Sequence, residues 1–232
     1  MSRLMGKVAL VTGASRGIGH VVAAGLEDEG ARVAALARSL DDGATDRRLN
    51  VRCDVTVAGE VRDAVARTIA AFGVPDIVVN NAGTFLLRLL PETSEQEFGE
   101  QWAVNALAPF LVLREVLPPM RARGSGHLVT IGSVVDHRPY AGNAAYGASK
   151  YGVRGLHEVL AEEIRGSGLR ATLISPGATD TRLWDPLDPD HRDDLPMRES
   201  MLAPADVAEA VLFAVTRPPH VAVEWIRIMP TG

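Results

Sequence analysis

The stretch "TGASRGIG", Thr12 to Gly19, lies where the apolar run "KVALVT" gives way to a helical pattern. From Ile18 the apolar positions Val21, Val22 and Leu26 recur at helical spacing, acidic residues follow, and Gly30 supplies a C-terminal stop. Gly13, Gly17 and Gly19 therefore occupy a strand-to-helix turn. A turn of this kind brings backbone N–H groups and the positive end of a helix against a phosphate, and glycine removes the Cβ atoms that block close approach. Taken alone, the same turn is equally readable as a tight connection with no ligand. Its spacing is G-x-x-x-G-x-G, not G-x-G-x-x-G.

Outward from this turn the chain alternates. Short runs rich in branched residues at "KVALVT", "ARVAALA", "NVRC", "DIVVN", "HLVTIG", "RATLIS" and "WIRIM" read as strands. Amphipathic helices lie between them, one through Val61, Val65, Ile69 and Phe72 and another from Pro204 through Val207, Ala210, Val211 and Ala214. Near-continuous apolar strands imply burial on both faces. The expected fold is a single α/β domain over residues 1–232, a Rossmann-type doubly wound, mainly parallel, seven-stranded sheet with helices on both faces. The 232 residues are 47% hydrophobic and 23% charged, with a net charge of -5. This balance argues against nucleic-acid and anionic-membrane partners, which need clustered Lys and Arg. The lone Cys53 allows no internal disulfide and fits a cytoplasmic location, and no targeting segment is expected at the N-terminus. None of the six histidines pairs at metal-ligand spacing, so no metal is expected.

Three further features follow in order: "NNAG" at Asn80 to Gly83, Ser133 closing "HLVTIGS", and "YGASK" from Tyr146 to Lys150. With the glycine turn they make the chain resemble the short-chain dehydrogenase/reductase family, from Lys7 to about Ile228. The resemblance implies a hydride-transferring oxidoreductase that interconverts a ketone or aldehyde and an alcohol. It implies Tyr146 as general acid or base, Lys150 beside it, Ser133 as donor to the substrate oxygen, and Asn105 holding a water next to the lysine. Positions four apart on a helix are neighbours, so Lys150 can sit beside the phenol. The family's cofactor contacts fall on Gly13, Ser15, Arg16, Gly17, Ile18, Gly19, Arg38, Asp54, Val55, Asn81, Ala82 and Gly83. Further along they fall on Tyr146 and Lys150, and in "PGATDT" on Pro176, Gly177, Thr179 and Thr181.

NAD readers usually carry an acid at the end of the second strand. Here Ala37 and Arg38 stand there, with Arg16 nearby, and two guanidinium groups suit a 2'-phosphate. NADP(H) is therefore favoured over NAD(H). Only about a dozen residues join Arg38 to "NVRC", too few for a full helix on the adenine side. Candidate substrate contacts are Phe85, Val135, Tyr140, Asn143 and Trp184, with Thr84, Leu86, Val134, Asp136 and Leu183 also near the mouth. Arg88, Arg138 and Arg182 are candidates for a substrate carboxylate. The charged, proline-rich segment 182–203 is expected to be a substrate lid. The resemblance also implies a homodimer or homotetramer built through the helices around Leu107–Met120 and Ala145–Ile164. The alternatives are a 3-oxoacyl-carrier or CoA-type reductase and a non-catalytic NADP-sensing protein. The acidic "DPLDPDHRDD" stretch counts against the first, and the complete tetrad against the second.

Overall fold

The computed structural model describes residues 2–231. Its strands are β1 (Val8–Thr12), β2 (Arg32–Ala37), β3 (Gly43–Ala44), β4 (Arg48–Arg52), β5 (Ile77–Asn80), β6 (Gly126–Ile131), β7 (Leu169–Pro176) and β8 (Trp225–Ile228). The helices are α1 (Gly17–Asp28), α2 (Ala58–Phe72), α3 (Glu95–Trp102), α4 (Ala108–Arg123), α5 (Ala144–Glu163) and α6 (Pro204–Val215). A π-helical turn, Ala103–Leu107, joins α3 to α4.

The strands form one sheet in the order β3-β4-β2-β1-β5-β6-β7-β8. Every pairing is parallel except β3 with β4. The expected seven strands are all present. The eighth, β3, is two residues long and lies in the short Arg38-to-β4 connection, which contains no helix.

Because side chains alternate along a strand, the sheet feeds two cores. Leu10, Leu36, Val51, Val78 and Leu128 enter the core shared with α2, α4 and α5, among them Val61, Val112, Val116 and Leu160. Val11, Val33, Val79, Val129 and Ile174 enter the opposite core with Val22 and Leu26 of α1 and Val207 and Val211 of α6. Each of these side chains contributes about 1.5–3 kcal/mol when fully buried.

Chain order along the sheet reverses between β1 and β5, and the carboxyl ends of these strands open the crevice where α/β folds bind ligands. Thr12 pins the two strands at this point. Its hydroxyl oxygen accepts from the backbone N–H groups of Asn81 and Ala82, each at 3.0 Å. Asn81 Nδ2 donates to the Thr12 carbonyl at 2.9 Å.

Candidate active site

A cleft of about 830 Å³ runs along the carboxyl ends of the strands. At one end stands the glycine turn. Gly13 has φ +67° and Gly17 φ +55°, values that favour glycine. A Cβ on Gly13 would lie 2.8 Å from Ala82 Cα. Gly19 does not line the cleft; it is buried behind it, where a Cβ would overlap both Asn81 Nδ2 and the Gly13 carbonyl. Helix α1 begins here with no side-chain cap hydrogen bond and no acid in its first turn. Its leading N–H groups thus face the cleft without a side-chain acceptor. These features fit a phosphate group.

The part of the cleft beside the ends of β2 and β4 is formed by Arg16, Ala37, Arg38, Asp54 and Val55. The side chain of Arg38 is 74% exposed and reaches Asp54 only at 3.9 Å. Asp54 Oδ1 accepts instead from the Thr56 N–H at 2.9 Å and the Thr56 hydroxyl at 2.7 Å. Asn81, Ala82 and Gly83 continue the wall. Pro176, Gly177, Thr179 and Thr181 face it from the end of β7, where the Thr179 hydroxyl donates to the Gly177 carbonyl at 3.1 Å.

Ser133, Tyr146 and Lys150 meet in the middle of the cleft. Ser133 leaves β6 and caps a short 3-10 turn, its Oγ accepting from the Val135 N–H at 3.3 Å. The hydroxyl proton is thereby left to point elsewhere. Lys150 Nζ donates to the Ile131 carbonyl at 3.1 Å and lies 5.7 Å from the centre of the Tyr146 ring. Burial pushes the Tyr146 phenol up to about 12, against the opposing effect of the Ser133 hydroxyl beside it. Burial also pulls Lys150 down to about 8, and the Asp136 carboxylate partly opposes that fall. Gly147, inside "YGASK", lets α5 approach the turn after Ser133, since a Cβ there would lie 3.3 Å from Val135.

Asn105 is buried in the π turn and does not line the cleft. Its Oδ1 accepts from the Thr84 N–H at 2.9 Å, and its Nδ2 donates to the Thr84 carbonyl and to Ser149 Oγ, each at 3.0 Å. The side chain ties the loop after β5 to α5. π turns inside helices recur at functional sites.

Phe85, Val135, Tyr140, Asn143 and Trp184 all line the cleft, and so do Val134, Leu183 and Arg182. The Phe85 ring packs edge-on against Tyr146 at 4.9 Å and at a tilt of 55° against Trp184 at 5.0 Å. Asn143 Oδ1 is buried without a hydrogen-bond partner. Thr84, Leu86, Arg88 and Arg138 lie outside the cleft, which leaves Arg182 as the one lining cation among those three arginines. Asp136 is also absent from the wall. It is fully buried beneath it, bonded to Ser133 and Ser175. Sequence reasoning also missed Gln101 and Ser149, the buried partners of Asn105.

A glycine-turn nucleotide cleft with a Ser, Tyr and Lys at its centre defines an α/β oxidoreductase. A family model described as short chain dehydrogenase matches residues 7–192. An uncharacterized oxidoreductase of Staphylococcus epidermidis is 33% identical, the alignment covering 99% of this chain and 100% of the relative. Among solved structures, a metagenomic short-chain oxidoreductase in complex with NADP is 32% identical over the whole of both chains, with a TM-score of 0.82. An alcohol dehydrogenase from the archaeon Thermococcus sibiricus, complexed with 5-hydroxy-NADP, is 30% identical over 97% of each chain, with a TM-score of 0.84. The chain belongs to the short-chain dehydrogenase/reductase family and is an oxidoreductase acting on CH–OH groups.

Proposed function

We propose that the protein is an NADP(H)-dependent carbonyl reductase that interconverts a small ketone or aldehyde and its alcohol. The observation that carries this reading is the convergence of Ser133, Tyr146 and Lys150 in one cleft whose far end presents Arg16 and Arg38 beside Ala37. With no acid at Ala37 to accept from a ribose hydroxyl, and two cations at hand, the site favours a 2'-phosphate. NADP or a derivative in two similar solved structures supports the same choice.

The cofactor would be held by the Gly13–Gly19 turn, Arg16, Arg38, Asp54, Asn81 to Gly83, Lys150, and the Pro176–Thr181 loop; when bound, it supplies the hydride. The rest is the work of the chain's own residues. Ser133 directs its free hydroxyl proton to the carbonyl oxygen and stabilises the charge that develops there. Tyr146, held protonated at neutral pH, gives its proton to that oxygen. Lys150 keeps a positive charge next to the phenol while its own proton is retained. Phe85, Trp184 and Leu183 give the substrate end an apolar wall. Segment 182–203 covers this end as a lid. Exposed Phe98, Trp102, Phe110, Tyr151 and Val159 on α3, α4 and α5 support a homo-oligomer built through those helices.

The test is a panel of carbonyl compounds offered with NADPH or NADH and followed by loss of reduced-nicotinamide absorbance. Turnover with NADPH in preference to NADH is expected. Tight NADPH binding with no turnover of any carbonyl or alcohol would favour a sensing role instead.

A further inference from the structure

Asp136 has no exposed surface, yet it lies three residues from Ser133 on the same short turn. Its Oδ2 accepts from the Ser133 backbone N–H at 3.1 Å and from the Ser175 hydroxyl at 2.6 Å. Its Oδ1 meets His137 Nδ1 at 2.7 Å. Ser175 has only one proton, and the direction in which it points is settled by Trp225. The indole Nε1–H of Trp225 donates to Ser175 Oγ at 2.9 Å, so the serine oxygen is an acceptor there and its proton goes to Asp136. A directed chain therefore runs from Trp225 on the edge strand β8, through Ser175 on β7, to Asp136 and on to the main chain of Ser133. Gly132 is glycine because a Cβ at that point would overlap Asp136 Oδ2.

We propose that Asp136 is a positioning residue for the reaction: its buried carboxylate, held by Ser175, locks Ser133 in place from beneath. This rests on the reading that Ser133 and Tyr146 act at the reacting oxygen. The groups facing Asp136 are His137 on its own turn, and Tyr146, Lys150, Arg154 and His157 on α5. The Arg154 guanidinium donates to the Asp136 carbonyl at 3.4 Å. From β7 the uncharged Ser175 bonds Asp136 and from β8 Trp225 bonds Ser175, with the guanidinium groups of Arg154 and Arg227 over the indole at 4.5 and 5.1 Å. The Asp136 charge opposes ionisation of Tyr146 and favours the charged form of Lys150. Neutralising it moves both titrations to lower pH.

Two variants separate the lock from the charge. Asp136→Ala removes both, and is expected to lower kcat by roughly 10- to 100-fold through displacement of Ser133 while NADPH affinity stays near that of the parent chain. Asp136→Asn keeps the shape and one acceptor oxygen but not the charge. It is expected to lose less kcat and to shift the alkaline limb of the kcat–pH profile to lower pH, a change that a purely structural role would not produce. A folded Asp136→Ala variant with parental kcat overturns the positioning role, and an Asp136→Asn limb that does not move overturns the electrostatic one. If Asp136→Ala does not fold, Ser175→Ala removes one donor from the same oxygen without touching the cleft. A several-fold fall in kcat is then expected, and parental kcat overturns the proposal. Failure of the parent chain to reduce any carbonyl is a separate outcome, which removes the carbonyl-reductase reading and this proposal with it.

Discussion

On one side of the cleft, Lys150 of the twenty-residue helix α5 bonds the end of β6, Ser133 is held by the buried Asp136 on its own turn, and the Tyr146 ring packs against Phe85. On the other side, segment 182–203 consists of short 3-10 turns held together by charge. Arg198 alone reaches Asp180 at 2.5 Å, Asp185 at 2.7 Å and Asp190 at 3.7 Å, and its backbone N–H donates to Asp190. The first wall is over-determined by packing, whereas the second is a set of exposed ion pairs that water can replace. A reacting centre needs its atoms held to within fractions of an ångström, while a covering segment has to open.

The largest effect expected is from disturbing the packed wall at Gly19. Gly19→Ala forces a Cβ into Asn81 and the Gly13 backbone, and should cost about 3 kcal/mol of stability together with most NADPH affinity. Chemical denaturation and a cofactor titration would check both. An alanine variant of parental stability would mean that this wall is not over-packed.

Acid sharpens the same contrast. His127 is held down to about 3 and His157 to about 4 by burial against the sheet, where they bond Thr172 and Thr130. The unfolded chain binds their protons first, so their contribution is complete above the ordinary histidine value of about 6.5 and is lost as pH falls below it. The slope is about 1.4 kcal/mol per pH unit for each histidine until the folded values are reached. His191, in segment 182–203, is shifted upward by its hydrogen bond to Asp188, which gives the opposite sign at an exposed site. Thermal melts between pH 7 and about pH 5 should therefore show a falling Tm that His191→Gln leaves unchanged and His157→Gln flattens.

At the adenine end, Arg38→Ala should weaken NADPH by about 10- to 100-fold and leave NADH nearly untouched, as expected for a charge-assisted contact to one phosphate. Equal losses for the two cofactors would remove Arg38 from that contact. The smallest effect is expected in the lid. Arg198→Ala should raise KM for the carbonyl substrate several-fold, with a Tm shift of no more than about 2 °C. A collapse in Tm would place the lid among the packed parts of the molecule.

The same division governs what could be read in advance. The seven longer strands are legible as near-continuous apolar runs and helices α1, α2 and α6 by apolar residues that recur at three and four, and the meeting of Ser133, Tyr146 and Lys150 in one cleft because each motif sits at a strand end or on one helix turn. Strand β3 has only Gly43 and Ala44, too few residues for any period to appear. The π turn around Asn105 leaves no mark in a pattern that stays helical on both sides. Asp136 belongs to an S-x-x-D capping box, yet its partner Ser175 is 39 positions away and Trp225, which donates to Ser175, is 89 away, and the register of β6, β7 and β8 brings them together. Segment 182–203 resists reading because its order comes from ion pairs with no periodic signature.

The proton donor is the centre of the account, and Tyr146→Phe tests it with a single atom removed. With NADPH and a carbonyl compound that the parent chain reduces, kcat should fall by about 10²- to 10⁴-fold while NADPH affinity is essentially unchanged. A folded variant that keeps a kcat close to the parental value would contradict the account, because the proton would then have to come from another group.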